Sequence, residues 1–151
     1  MPTLNIHSKS SDWRSRRLSN FSVDFFELDG ATMMSVEGFI QGIKFPEGDR
    51  RRNMAFNSAG SAVKRLGSEA AGEFVYWQGR EIPYGSIEHM SLIERAIRAK
   101  FEQNDGARQA LMATVGLVLT HEVPGPENPK TSLPAERFCV ILAGIRAEFG
   151  G

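Results

Sequence analysis

The side chains that could do chemistry are concentrated in the segment 35–45, which reads SVEGFIQGIKF. Glu37, Gln41 and Lys44 are separated by steps of four and then three residues. On a helix these steps keep a carboxylate, an amide and an amine near one azimuth, so all three can point into a single cavity. There the carboxylate could act as a base or a charge stabiliser, and the amine as a nucleophile or a fixed cation. The alternative interpretation is that they are ordinary solvated charges on a helix surface.

The same segment is predicted to form an amphipathic helix. Its apolar residues recur at the i, i+3, i+4, i+7 spacing of a core-facing surface and are Val36, Phe39, Ile40 and Ile43. Ser35 is the predicted N-cap, and the helix is predicted to stop at Phe45 because the residue before a proline avoids the helical region. Gly38 and Gly42 form a stripe without side chains, which predicts the close approach of a neighbouring backbone or a flat ligand.

The remaining elements are predicted from periodicity and from turn residues. The stretch 21–34 has Asp29-Gly30 at its centre and indicates a short β-hairpin. Further helices are predicted at 58–66, from Ser86 to about 103, at 107–114 and from Pro134 onward. The stretch 73–85 is β-like or irregular, the segment 117–123 could be helix or strand, and 46–57 is predicted to be a loop. We therefore expect a mainly α (α+β) fold of about five helices with a small N-terminal hairpin.

The overall composition is typical of one globular domain. The 151 residues are 41% hydrophobic, and 18 basic side chains balance 18 acidic ones, which argues against a strongly basic nucleic-acid binder. The polar residues 1–17 are predicted to be a flexible arm, with a single domain over 18–151. One cysteine, Cys139, permits no internal disulfide and is predicted to be an inert packed thiol.

The sequence lacks the motifs of several functional classes. It contains no zinc-binding spacing, no HExxH motif, no Walker loop and no GxGxxG motif, so neither a metal nor a nucleotide cofactor is predicted. The N-terminus lacks the apolar region of a signal peptide, and no apolar run approaches the roughly 18 residues of a membrane span. We expect a soluble, cytoplasmic protein without a membrane partner.

A succession of motifs resembles the NADAR superfamily, also called YbiA-like. The order is SNF at 19–21, the Asp29-Gly30 turn and VEGFIQGIKF, followed by AVKRLG at 62–67, IERAIRAKFEQ at 93–103 and LMAT at 111–114. The resemblance covers roughly 19–146 and implies a compact YbiA-like helical domain. It also implies hydrolysis of N-glycosidic bonds in ADP-ribose or related ribosyl compounds, with Glu37 and Lys44 as the catalytic residues.

The resemblance gives these two residues possible roles. Cleavage of such a bond passes through an oxocarbenium-like centre, which a carboxylate can stabilise or supply with activated water. Because Glu37 lies in the first helical turn, the helix dipole favours its ionised form, and we expect a base or stabiliser rather than a proton donor. Lys44 could form a Schiff base with a ring-opened ribose, or stay charged and bind phosphate or the leaving base. Gln41 would hold ribose hydroxyls or a base edge.

Further substrate contacts are predicted outside this helix. The predicted substrate-binding residues are Ser19, Asn20, Phe21, Gln41, Tyr84, Glu122 and Arg137. The alternative for residues 19–21 is a turn with one core aromatic, and for Tyr84 it is core packing. His7 and His89 are predicted to be surface residues. The run 50–52, three arginines, is most simply solvated, with binding of a diphosphate or a nucleic-acid backbone as the alternative.

The sequence departs from the family in one place. Family members in riboflavin metabolism usually carry a Trp-Gly-Asp-Gly type loop before the last helix, where this chain reads VPGPENPKTSLPAERF. The preferred hypothesis is therefore removal of ADP-ribose from guanine in nucleic acid, with a cognate ADP-ribosyltransferase toxin as a partner implied by the resemblance. The alternatives are an N-glycosidase of phosphoribosylamino riboflavin-pathway intermediates and a non-catalytic module that binds ADP-ribose or NAD.

Overall fold

The computed structural model describes residues 1–150, which form helices and short strands around one hydrophobic core. In chain order the elements are β1 (Thr3–Asn5), α1 (Trp13–Leu18), β2 (Phe26–Leu28), β3 (Ala31–Met33), α2 (Val36–Gly42), α3 (Arg50–Phe56), α4 (Ser61–Gly67), β4 (Phe74–Trp77), β5 (Arg80–Pro83), α5 (Ile87–Gln103), α6 (Asp105–Met112), β6 (Val118–Thr120) and α7 (Ala135–Glu148). The predicted mainly helical α+β fold is confirmed. None of the helices within residues 1–150 is long and apolar enough to cross a membrane.

The strands form three separate pairs. β2 and β3 are antiparallel and are joined by Asp29 and Gly30, whose φ angles of 51° and 87° fit the predicted tight hairpin turn. β4 and β5 form a second antiparallel pair, closed in the same way by Gln78 and Gly79. β1 pairs in parallel with β6, so the N-terminus is attached to a strand far along the chain.

The predicted flexible arm at 1–17 is wrong in the structure. These residues include β1 and most of α1, and Leu4 and Ile6 are buried in the core. Asp12 caps α1 by accepting a hydrogen bond from the backbone N–H of Arg14. The alternation of Leu4 and Ile6 is typical of a strand. The strand that pairs with it, β6, lies more than 100 residues away, so no local sequence pattern predicts this pairing.

The count of helices also exceeds the prediction. α1 and α3 were not predicted; α3 occupies part of the predicted loop at 46–57. Both are short, of six and seven residues, and both begin with arginine-rich sequence that carries little apolar periodicity. α2 begins after Ser35 as predicted but ends at Gly42 rather than Phe45, and residues 43–45 continue as a turn. The ambiguous segment 117–123 contains the strand β6.

Candidate functional site

Helix α2 is fixed at its N-terminus and along its glycine stripe. The Ser35 hydroxyl accepts from the Gly38 N–H at 2.9 Å and donates to the Ser58 carbonyl at 2.8 Å. A side chain at Gly38 would overlap the Ala55 carbonyl, and one at Gly42 would overlap the Phe56 ring. The predicted close approach is therefore made by α3, through both its backbone and an aromatic side chain. This packing leaves α2 little freedom to move.

The polar face of α2 is buried together with its apolar face. Glu37 is 7% exposed and Gln41 is 5% exposed, and Gln41 Nε2 donates to Glu37 Oε1 at 2.9 Å. Burial raises the pKa of Glu37, although the Gln41 hydrogen bond and the charges of Lys64 and Lys44 act in the opposite direction. Desolvation therefore acts against the helix dipole that favours the ionised form, and its effect on the pKa exceeds that of the hydrogen bond and the two charges.

Lys44 lies just beyond the end of α2, beside this carboxylate. Burial lowers the pKa of its amine; Glu37 opposes that shift and the positive charge of Lys64 adds to it. Lys44 Nζ stands 5.9 Å from the centre of the Tyr84 ring. Burial thus shifts the pKa values of Glu37 and Lys44 toward each other.

The turn that carries Lys44 is held from both sides. The Ile43 carbonyl accepts from the Tyr76 N–H at 2.7 Å, and the Phe45 carbonyl accepts from the Arg52 guanidinium at 2.9 Å. Arg52 also donates to the Tyr76 carbonyl at 2.9 Å and is only 6% exposed. The interpretation of the arginine run at 50–52 as solvated is therefore wrong for Arg52. The buried Arg52 side chain binds the Phe45 carbonyl directly and reaches Ile43 through the backbone of Tyr76, so it fixes the residues on both sides of Lys44.

Together with Glu37, Gln41, Lys44 and Tyr84, His89 forms a group that we call the Glu37 cluster. The predicted surface location of His89 is wrong. It is 1% exposed, and its ring centre lies 4.8 Å from that of Tyr84. Its Nδ1 accepts from the Gly85 N–H at 2.9 Å, so in the neutral ring the proton is on Nε2. Within residues 1–150 that buried Nε2 has no hydrogen-bond partner. Gln41 Oε1 is likewise buried and without a partner there, so the cluster offers an unused donor and an unused acceptor.

The buried His89 should make stability depend on pH. Burial, with the charge of Lys44, lowers the pKa of His89 to about 4. Between these two pKa values the histidine is protonated in the unfolded chain but neutral in the native protein. The free energy of unfolding should therefore decrease as pH falls from the ordinary pKa of about 6.5 toward 4. Chemical denaturation of the unaltered protein and of His89→Gln at pH 7 and pH 5 measures this. An equal loss of stability in both proteins would contradict the assignment.

The loop 19–24 contacts both α2 and α5. The Asn20 carbonyl accepts from the Glu37 N–H at 3.0 Å, which attaches the loop to the first turn of α2. Lys100, 1% exposed, donates to the carbonyls of Arg17 and Ser19 at 2.9 and 3.0 Å. Its amine also lies 3.9 Å from the buried Asp24 carboxylate. A buried cation on α5 therefore fixes this loop, which in turn contacts α2.

Removal of that cation should destabilise the protein strongly. Lys100→Met would leave the Asp24 carboxylate and two carbonyls without their buried partner, and such losses cost about 3–5 kcal/mol. Thermal or urea unfolding measures the effect, with Lys9→Met, an exposed lysine, as the matched control. A Lys100→Met protein as stable as the control would show that the buried ion pair is not needed.

The proline-rich loop is attached to the site through Tyr84. The phenolic oxygen donates to the Lys130 carbonyl at 2.6 Å and lies 2.7 Å from the Ser132 hydroxyl. Tyr84 is therefore neither a simple core residue nor a free stacking surface. Its ring faces Lys44 and His89, while its hydroxyl anchors the loop that lacks the family tryptophan.

Two of the predicted substrate-binding residues, Glu122 and Arg137, contact residues outside the Glu37 cluster. Glu122 is exposed, and its backbone N–H donates to the Asn5 side chain at 2.8 Å. The Arg137 side chain is 48% exposed, and its guanidinium lies 3.6 Å from the Glu94 carboxylate on α5. The substrate roles of these residues, and those of the other predicted site residues, remain predictions. Cys139 is half-buried, and burial raises the pKa of its thiol to about 11.

Gly67 at the end of α4 determines where the Gln41 amide lies. A methyl group at this position would overlap Gln41 Oε1. Gly67→Ala should therefore displace the amide from Glu37 and destabilise the protein by about 1–3 kcal/mol, as overpacking of a dense core does. Gly144→Ala is the matched control, because open space surrounds Gly144 in α7 and alanine favours a helix. Equal unfolding midpoints for the two variants would contradict this packing.

Comparisons with known proteins place the chain in a family. Residues 12–147 match the family described as bacteriophage protein GP30.3. The chain belongs to this family. It is 31% identical to an uncharacterized 17.1 kDa protein in the Gp30–rIII intergenic region of enterobacteria phage T4, over 97% of this chain and 98% of that protein.

The fold is shared more widely than the sequence. The NMR structure of the Escherichia coli protein YbiA matches 98% of this chain and 84% of its own, with a TM-score of 0.69 and 21% identity. This match confirms the predicted YbiA-like fold. Within residues 1–150, no group of three or more His, Cys, Asp and Glu side chains is placed to hold a metal ion.

Proposed function

We propose that this protein is an N-glycosidase that removes ADP-ribose from guanine in nucleic acid, with Glu37 and Lys44 as its catalytic residues. The observation that carries the proposal is the buried Glu37–Gln41 pair beside a partly buried lysine. A buried acid and amine of shifted pKa are characteristic of reactive sites rather than of solvated helix surfaces. The YbiA-like fold supports a glycosidase of this general kind.

In the proposed reaction, Lys44 is the nucleophile. Its neutral amine attacks C1 of the ribose, the bond from C1 to the guanine nitrogen breaks, and that nitrogen leaves with one proton of the amine. The C1–O4′ bond then breaks, O4′ takes the second amine proton, and C1 is held by the Lys44 nitrogen as a Schiff base. Water hydrolyses this Schiff base to ADP-ribose and free Lys44. A lowered pKa assists this role because only the neutral amine can attack.

Glu37 and the two unpaired groups would complete the site. Ionised Glu37 stabilises the positive charge that develops at C1 and then accepts a proton from the hydrolytic water. Gln41 Oε1 can accept from a ribose hydroxyl, and His89 Nε2 can donate to an oxygen of the sugar or base. A cytoplasmic location and a cognate ADP-ribosyltransferase toxin as partner are part of the same proposal.

The test is incubation with a single-stranded oligonucleotide that carries one ADP-ribosylated guanine. We expect free ADP-ribose and an intact oligonucleotide, both identified by mass spectrometry, and release that is at least about 100-fold slower with Glu37→Gln. Phosphoribosylamino intermediates are the competing substrates, and faster turnover of these would overturn the nucleic-acid assignment. Tight binding of ADP-ribose without product from any substrate would identify a non-catalytic binding module instead.

A further inference from the structure

A second concave surface lies beside the loop 19–24, outside the Glu37 cluster. It is an open cleft of about 380 Å³ lined by Ser8, Trp13, Arg16, Arg17, Phe21 and Ser22. Small-molecule sites commonly occupy roughly 300–1,000 Å³, so this volume suits a ligand at the small end of that range.

The lining combines aromatic faces with a guanidinium. Trp13 is 51% exposed although it is the largest apolar side chain in the cleft, and Phe21 is half-buried next to it. Exposed aromatic faces beside cationic side chains are the usual platform for unpaired bases of single-stranded nucleic acid. Trp13 and Phe21 therefore give this cleft two aromatic faces beside the arginines that line it.

The charge around the cleft is distinct from that of the whole chain. Residues 1–24 contain four basic side chains and two acidic ones, which leaves +2 in a protein whose formal net charge is zero. Arg14 is paired with Asp12, and Arg17 with Asp24. Arg16 is exposed and donates from Nη1 to the Ser10 carbonyl at 2.8 Å, which leaves other guanidinium donors for a phosphate.

The cleft and the catalytic cluster share one short loop. Phe21 lines the cleft, and the preceding Asn20 accepts the backbone N–H of Glu37 at 3.0 Å. A polymer whose modified nucleotide enters the cluster can thus place a neighbouring nucleotide in the cleft. A free nucleotide or a small riboside fills only one of the two positions.

We propose that the cleft between Trp13 and Arg16 binds an unmodified nucleotide of a single strand, adjacent to the nucleotide that the site acts on. The proposal deepens the proposed function, because it assigns the substrate to single-stranded nucleic acid. Trp13 stacks on the base, and Arg16 contacts the phosphate. The binding itself needs neither ADP-ribose nor catalysis, so it can be measured separately.

The experiment titrates the protein with an unmodified single-stranded 12-mer and follows tryptophan fluorescence. Trp77 is only 6% exposed, so quenching by the oligonucleotide should come from Trp13. We expect Trp13→Ala to bind at least about fivefold more weakly and Trp13→Phe to bind nearly as tightly as the unaltered protein, since stacking needs only an aromatic face. Met54→Ala, an apolar residue on α3 that is 52% exposed, is the control and should change nothing.

Salt dependence tests the role of Arg16. With one or two phosphate contacts, affinity should fall about threefold to sevenfold between 50 and 200 mM salt, and Arg16→Gln should reduce that slope. Equal affinity of Trp13→Ala and the unaltered protein, or tighter binding of duplex than of single strand, would overturn the proposal. Glu37→Gln should bind the oligonucleotide normally, so a lack of glycosidase activity and a lack of strand binding are separate results.

Discussion

Glu37→Gln is expected to release ADP-ribose at least about 100-fold more slowly than the unaltered protein, with little change in fold. Glutamine fills the same buried volume but cannot carry the negative charge that faces C1, nor accept a proton from water. Removal of an acid–base or electrostatic group of this kind typically costs a factor of about 10²–10⁴. Initial rates on the ADP-ribosylated oligonucleotide measure the effect, and circular dichroism and the unfolding midpoint establish that the protein remains folded.

The pH profile adds a second check on Glu37. Because burial raises its pKa, protonation should lower the rate at a higher pH than for an exposed glutamate, and this acid limb should be lost in Glu37→Gln. Glu81→Gln, an exposed carboxylate on β5, is the matched control and should turn over normally. Near-normal turnover by Glu37→Gln would remove this carboxylate from the mechanism.

Lys44→Ala and Lys44→Arg are both expected to lose nearly all turnover. Arginine keeps the positive charge but stays protonated, so it could replace a lysine that only binds phosphate but not one that attacks C1. Because a covalent nucleophile cannot be replaced by charge alone, the two variants should be equally inactive. Lys9→Ala, at an exposed lysine that does not influence the pKa of Glu37 or Lys44, is the control and should retain most activity. Substantial activity in Lys44→Arg would assign Lys44 to binding instead.

Local signals made α2 predictable from the sequence. The N-cap at Ser35, the apolar spacing and the paired glycines all depend on residues within one or two turns, and each is found in the structure. The proximity of Glu37 and Gln41 follows from their i, i+4 spacing alone. Such signals suffice because one helix carries most of the candidate site.

The burial of two polar side chains on α5 was not predicted from the sequence. His89 and Lys100 lie at i and i+11 on the same stripe of α5 as the buried Ile93 and Ala96, so their burial could have been inferred from helical spacing. The rule that polar side chains mostly face water instead predicted a surface location for His89. What keeps Lys100 inside are carbonyls from residues 17 and 19, and no local pattern identifies those partners.

Arg52 illustrates the same limit for secondary structure. It lies in a run of three arginines without apolar periodicity, which predicts a loop, yet it stacks on Phe56 and Trp77 in the core. Cation–π contacts and two backbone carbonyls replace the water around its guanidinium. These tertiary contacts of Arg52 add to a local signal, because Asp49 caps α3 by accepting from the backbone N–H of Arg51.

Borohydride trapping tests the central claim most directly. Reduction during turnover of the ADP-ribosylated oligonucleotide would convert a Schiff base into a stable amine, and the adduct mass should equal protein plus reduced ADP-ribose. We predict that peptide mapping places the adduct on Lys44, and that Lys44→Ala yields none. Release of ADP-ribose without any adduct, or an adduct on another lysine such as Lys64, would contradict the account.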